Sequence, residues 1–231
     1  MIEKIKKIPW WGWVTGFVYF GLQYGMYRLA DWITRLTGTI DHAFPPKIPC
    51  IDDRIPVIAI FAVIYLFSYV FWICGPIAVS LTKRENFINY IVGLSAAYLV
   101  GFLIFVFCPT SMDRVAEGLM DIAAQPGLGN RLLGIIYGAD GSSMAFNLFP
   151  SYHCLISLYC YLGVRKQEEI SKGFRVYSLV MTVLICLSTV FTKQHYFIDI
   201  IGGLTISTVC YLVVARIDPG RRWAAKKPRI C

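Results

Sequence analysis

The stretch Ser188-Thr-Val-Phe-Thr-Lys-Gln-His-Tyr-Phe-Ile-Asp-Ile-Ile-Gly-Gly203 sets a histidine and an aspartate four residues apart inside an otherwise apolar segment. On a helix that spacing stacks His195 and Asp199 on one face. A carboxylate beside one imidazole nitrogen fixes the tautomer and leaves the other nitrogen to act as nucleophile or base. His195 is therefore the leading catalytic candidate and Asp199 its orienting partner. Such a pair can also do no more than tie two membrane helices together, and the rest of the chain decides between the two roles.

With 231 residues, 57% of them hydrophobic, and a mean hydropathy of +0.59, the chain has more apolar surface than a soluble core of its size would hide. Runs at Trp13 to Ile33, Val57 to Val79, Phe87 to Phe107, Tyr177 to Phe191 and Tyr196 to Val214 are long or nearly long enough to cross about 30 Å of hydrocarbon. A sixth, Tyr152 to Val164, is shorter and opens with a polar head. The expected fold is all-α: an integral membrane bundle of six transmembrane helices forming one domain over residues 1–231. The first run is bounded by Arg28, Asp31 and Arg35 rather than by a small-residue cleavage site, so it is expected to stay attached as a span.

The net charge of +8 lies in the short loops and tails, a pattern that reports topology and does not call for a nucleic-acid partner. Assigned alternately, one side carries Lys4, Lys6, Lys7, Lys83, Arg84, Arg165, Lys166, Lys172, Arg175, Arg216, Arg221, Arg222, Lys226, Lys227 and Arg229. The other carries only Arg35, Lys47, Arg54, Arg114, Arg131 and Lys193, with Arg28 left inside a span. The positive-inside rule then puts both termini in the cytoplasm and the polar motifs outside. Trp10, Trp11 and Trp13 read as an interfacial belt beside the basic anchor. Of eight cysteines, Cys74, Cys108, Cys154, Cys160, Cys186 and Cys210 lie in or at the ends of apolar runs, where thiols serve as small hydrophobes; with Cys50 outside and Cys231 in the tail, no disulfide framework is expected. Asp41 and His42, in the Pro-rich connector Thr34 to Pro56, are read as solvated and not as a metal site.

Three polar clusters fall on that outer side at similar depth. Arg114 follows the third run, where it could anchor at the interface or offer a planar fork to phosphate oxygens. Ser151 and His153 stand at the mouth of the fourth run, with Ser151 placed to cap it and leave first-turn N–H groups for an anion. Lys193, His195 and Asp199 form the third cluster. Between the first two, Val115 to Ala124 and Arg131 to Tyr137 have helix-like apolar spacing and are expected to lie on the outer membrane surface as a possible binding loop.

These clusters resemble the signatures of the type 2 phosphatidic acid phosphatase (PAP2) superfamily: Pro109-Thr-Ser-Met-Asp-Arg114, Pro150-Ser-Tyr-His153, and Ser188 through His195 to Asp199, within a signature region spanning 108–203. The pattern departs at Phe107, where a Lys is usual, at Val115 for Pro, at Tyr152 for a small residue and at Thr189 for Arg. Phe-Pro-Ser-x-His with Lys-Gln-His-Tyr-x-x-Asp looks closer to the inositol phosphorylceramide synthase-like branch. The resemblance implies a phosphatase acting on a membrane lipid phosphate or diphosphate. His195 would attack phosphorus, Asp199 orient it, His153 serve as acid and then base, and Arg114, Lys193 and Ser151 bind the phosphoryl oxygens. It implies no cofactor and no metal, and a cell-membrane protein with its site on the non-cytoplasmic side. Two alternatives stay open: transfer of the phosphoryl head group to a lipid or polyol hydroxyl, and a non-catalytic membrane protein of the same fold. Oligomeric state is not encoded in any of these features.

Overall fold

The structure, a computed structural model, describes residues 8–141 and 143–225. Lys4, Lys6, Lys7, Lys226, Lys227, Arg229 and Cys231 lie outside the described residues. The chain opens with α1 (Trp10–Thr37), stopped at Gly38, whose φ of +74° suits a residue without a Cβ. A short helix α2 (Pro49–Asp52) follows in the connector, then α3 (Phe61–Val79) and α4 (Arg84–Phe107) as an antiparallel hairpin. Strand β1 (Ser111–Asp113), helices α5 (Leu119–Ala124) and α6 (Leu128–Ala139) and strand β2 (Met144–Phe146) come next. The chain continues with α7 (Tyr152–Val164), α8 (Lys172–Phe191), α9 (Phe197–Ile217) and α10 (Pro219–Ala225).

Among the described residues, four stretches are long and apolar enough to cross a membrane: α3, α4, α8 and Phe197–Trp223. Four of the six expected spans meet that length and hydropathy, and the other two, α1 and α7, are helices of a different kind. At 28 residues α1 is about 42 Å long, but Arg28, Asp31 and Arg35 dilute its apolar character. At 13 residues α7 is about 20 Å long, short of the hydrocarbon thickness. It can be short because protein surrounds it: α3, α4, α8 and α9 all pack on it, and Leu155, Ile156, Tyr159, Cys160 and Val164 are buried. Lipid-type side chains face outward instead, with Phe17 and Val18 on α1, Leu99 and Leu103 on α4, Val180 and Val183 on α8, and Leu212 and Val213 on α9 exposed. This apolar girdle is what an integral membrane protein presents. The described cysteines are free thiols.

The start of α7 is bound to the start of α9. Ser151 N–H donates to the Asp199 carbonyl at 3.0 Å, and a Cβ on Gly203 would collide with the Ser151 carbonyl oxygen. Only glycine permits that approach, so the Gly-Gly pair ending the opening stretch sets the distance between the second and third clusters. Gly203→Ala is expected to destabilise the fold by about 1–3 kcal/mol through overpacking. It should also depress activity more than that loss explains, because the backbone that moves carries Ser151; thermal unfolding in detergent and turnover on the same sample check both.

The segment from 108 to 150 forms a packed cap. Met112 faces Ala145 across the antiparallel β1/β2 pair, and α6 turns Leu133, Ile136 and Tyr137 inward against Ala62 and Tyr65 of α3 and Tyr196. The helix expected from Val115 begins only at Leu119, because Asp113 Oδ1 accepts from both Val115 and Ala116 N–H and holds a turn there. The hairpin was not anticipated. Each strand has three residues, too short for alternation to be read from sequence.

Candidate active site

His195 lies before α9, not within it. The helix starts at Phe197, and Asp199 in its first turn reaches back: one carboxylate oxygen, Oδ2, accepts from Tyr196 N–H at 2.9 Å and lies 3.3 Å from His195 Nδ1. The pair therefore meets through a helix cap, which corrects the expected helical stacking. Asp199 is fully buried and its Oδ1 has no hydrogen-bond partner among the described residues. With Nδ1 turned to the carboxylate, Nε2 is the nitrogen left for chemistry.

The turn carrying His195 is held from several directions. The Thr189 carbonyl accepts from Gln194 and His195 N–H, and Tyr137 O–H donates to the Thr192 carbonyl at 2.9 Å. Asp52, in the connector, accepts from Phe197 N–H at 2.8 Å and from Ile48 N–H at 2.7 Å, while its carbonyl takes the Lys193 ammonium at 2.8 Å. Asp52 is buried, so Asp52→Ala would strand two backbone donors. The expected cost is about 1–3 kcal/mol, with a fall in kcat as the His195 turn loosens. Unfolding and turnover measured together test it.

His153 enters from the first turn of α7, capped by Ser151 Oγ, which accepts from Cys154 N–H at 3.4 Å. Its ring stacks on Tyr65 with centroids 4.1 Å apart, and Trp72 and Tyr69 stand at 4.7 and 5.8 Å. Trp72 is fixed in turn by donating to Ser157 Oγ at 2.9 Å. The centroids of His153 and His195 are 5.8 Å apart. Attack needs an approach of about 3–3.5 Å and proton transfer about 2.6–3.2 Å, so both rings can reach one phosphoryl group between them.

Both histidines line a cavity of about 310 Å³, walled also by Gln23, Tyr24, Tyr27 and Arg28 of α1, Tyr65 and Tyr69 of α3, and Asp140, Asn147 and Gln194. The expected phosphate ligands are placed differently. Arg114 is wholly buried one layer back, with its guanidinium over the Tyr137 ring and donating to the Tyr137 carbonyl, Asp140 Oδ2 and Gln194 Oε1 at 3.1 to 3.2 Å. Lys193, at a φ of +49°, sends its ammonium to Asp52, and burial lowers its pKa from the ordinary lysine value. None of Arg114, Lys193 and Ser151 is among the residues walling the cavity, and Ser151 is fully buried. Among the described residues no three His, Cys, Asp or Glu side chains group so as to hold a metal ion.

Several cavity residues escaped the sequence reading. Tyr65 and Tyr69 on the cavity wall, with Trp72 against the His153 ring, share one helix face through their i, i+4, i+7 spacing. Gln194 passed because it sits between two more conspicuous residues. Asn147, at a φ of +57°, is held by its N–H on the Thr110 carbonyl, while Thr110 Oγ1 accepts from Leu148 and Phe149 N–H; nothing short of the fold reveals that scaffold.

The family model described as "PAP2 superfamily" matches residues 33–213, which includes all three clusters and most of the helical bundle. No curated protein and no solved structure matches the chain.

Proposed function

The chain belongs to the PAP2 superfamily, and from that premise we propose that it is a membrane lipid phosphate phosphatase working through a phosphohistidine. Superfamily membership suggests phosphatase or phosphotransferase activity. The observation that carries the finer reading is the pair of imidazoles 5.8 Å apart on one cavity, one backed by a buried carboxylate and the other by a stack of aromatics. In the first step His195 Nε2 forms a bond to phosphorus as the bond from phosphorus to the lipid oxygen breaks, and His153 gives that oxygen a proton. Asp199 stabilises the charge on the phosphorylated ring. In the second step His153 takes a proton from water, the water oxygen attacks phosphorus, the nitrogen–phosphorus bond breaks and phosphate leaves. Arg114 supports the phosphoryl charge through Gln194, and Ser151 holds the first turn of α7 in place.

In this reading α1 and α7 complete six membrane-crossing elements, with both termini cytoplasmic and the cavity opening on the outer side of the cell membrane. A second acceptor, a lipid or polyol hydroxyl in place of water, is favoured by the hydroxyl and amide groups of Gln23, Tyr24, Tyr27 and Asn147 along the cavity. Incubating labelled lipid phosphates and diphosphates with purified protein in the presence of chelator, with and without alcohol acceptors, separates these. Free phosphate supports hydrolysis and a new lipid supports transfer. The absence of both products across the panel would leave a non-catalytic protein of the same fold.

A further inference from the structure

One cation on the cavity wall has no assigned task. Arg28 is an exposed residue in the second half of α1, and in a helix bordering hydrocarbon an unneutralised guanidinium is costly unless it serves a ligand or a watery space. The nearest carboxylate along the helix, Asp31, is taken by Arg35 through paired contacts of 3.0 Å. Arg28 itself has no hydrogen bond or ion pair among the described residues, yet it lines both the central cavity and the smaller hollow beside it that reaches Asp31 and Gly141. Arg114 and Lys193, by contrast, already donate to the protein.

The same cavity holds donors that lack an acceptor. Asn147 Nδ2 and Gln194 Nε2 are buried with no hydrogen-bond partner, and both side chains belong to residues only 3% exposed. For Gln194 the orientation is fixed chemically: its oxygen must face Arg114, which can only donate, so its amide N–H groups face elsewhere. Burying such donors is unfavourable without a partner, and a partner for a guanidinium and two amides is an oxyanion. Asp140, the carboxylate on the same wall, is engaged by Arg114 and does not satisfy them.

We propose that Arg28 directly binds the phosphoryl oxygens of the substrate, with the amides of Asn147 and Gln194 as its co-ligands. This rests on the phosphoryl-transfer reading, and it makes α1 part of the active site rather than a membrane anchor. The planar fork gives two parallel hydrogen bonds to one phosphoryl group, a geometry that lysine supplies only as a point charge.

The test uses full-length protein in detergent, with Arg28→Gln and Arg28→Lys, read by steady-state phosphate release or transfer and by the melting shift that orthovanadate produces. Arg28→Gln is expected to lower kcat/KM roughly 10²–10³-fold and to abolish the vanadate shift, while the melting point without vanadate stays put because the side chain is exposed. Arg28→Lys should recover part of both. Wild-type turnover with Arg28→Gln matching it in KM and in vanadate shift overturns the proposal and leaves the phosphatase reading intact. A wild type without turnover whose vanadate protection depends on Arg28 supports the anion site and overturns the enzyme reading. No turnover and no vanadate shift overturns both.

Discussion

His195→Ala is expected to abolish turnover, with kcat falling roughly 10⁴–10⁶-fold, the size of loss seen when a covalent nucleophile is deleted. The fold should survive, because the ring is bonded to the protein through one contact of 3.3 Å, to Asp199, and faces a cavity on its other side. An unchanged melting point beside lost phosphate release therefore locates the effect in chemistry. Asp199→Asn keeps the shape of the cap but removes the charge that steadies the imidazolium, and a loss of up to about 10⁴-fold is expected. If His195→Ala protein still released phosphate at a rate near wild type, His195 would not be the nucleophile.

Arg114→Lys is the second large effect, and it should strike stability and activity together. The guanidinium is completely buried and serves three acceptors at once, the Tyr137 carbonyl, Asp140 and Gln194, while covering the Tyr137 ring. Lysine cannot reproduce a planar fork, so part of this network is left without donors. Breaking a buried charged network costs about 3–5 kcal/mol, and a lowered unfolding midpoint in denaturant measures it. Activity should drop because Gln194 adjoins His195 and borrows its orientation from Arg114. A variant with wild-type stability and a raised KM alone would instead make Arg114 a direct substrate contact.

Much of this arrangement could be read from residue types and spacing. Apolar length marked α3, α4, α8 and α9, and the polar clusters that interrupt or end the apolar runs marked Arg114, Ser151, His153, His195 and Asp199 as elements to be brought together. The fold brings His153 and His195 to one cavity, sets Asp199 behind His195 and ties Ser151 to Asp199 through the backbone. What could not be read depends on contacts between distant segments. Hydropathy alone gave α7 the standing of a span, whereas its shortness makes sense only inside a ring of other helices. The family resemblance suggested Arg114 and Lys193 as phosphate ligands, but which acceptors lie nearest is decided by the cap and by Asp52. Arg28 looked like an anomaly in a span until α1 was seen to wall the cavity. The His195 and Asp199 spacing was informative for a reason other than the helical one, since four residues also bridge a helix start when the carboxylate folds back.

The most direct test is to quench the purified protein within milliseconds of mixing with lipid carrying a labelled phosphoryl group, and to map the label by peptide. The account predicts an acid-labile, base-stable phosphoramidate on the peptide containing His195, formed and consumed at rates consistent with turnover. A label on any other residue, or steady turnover with no labelled protein at any time point, would contradict it.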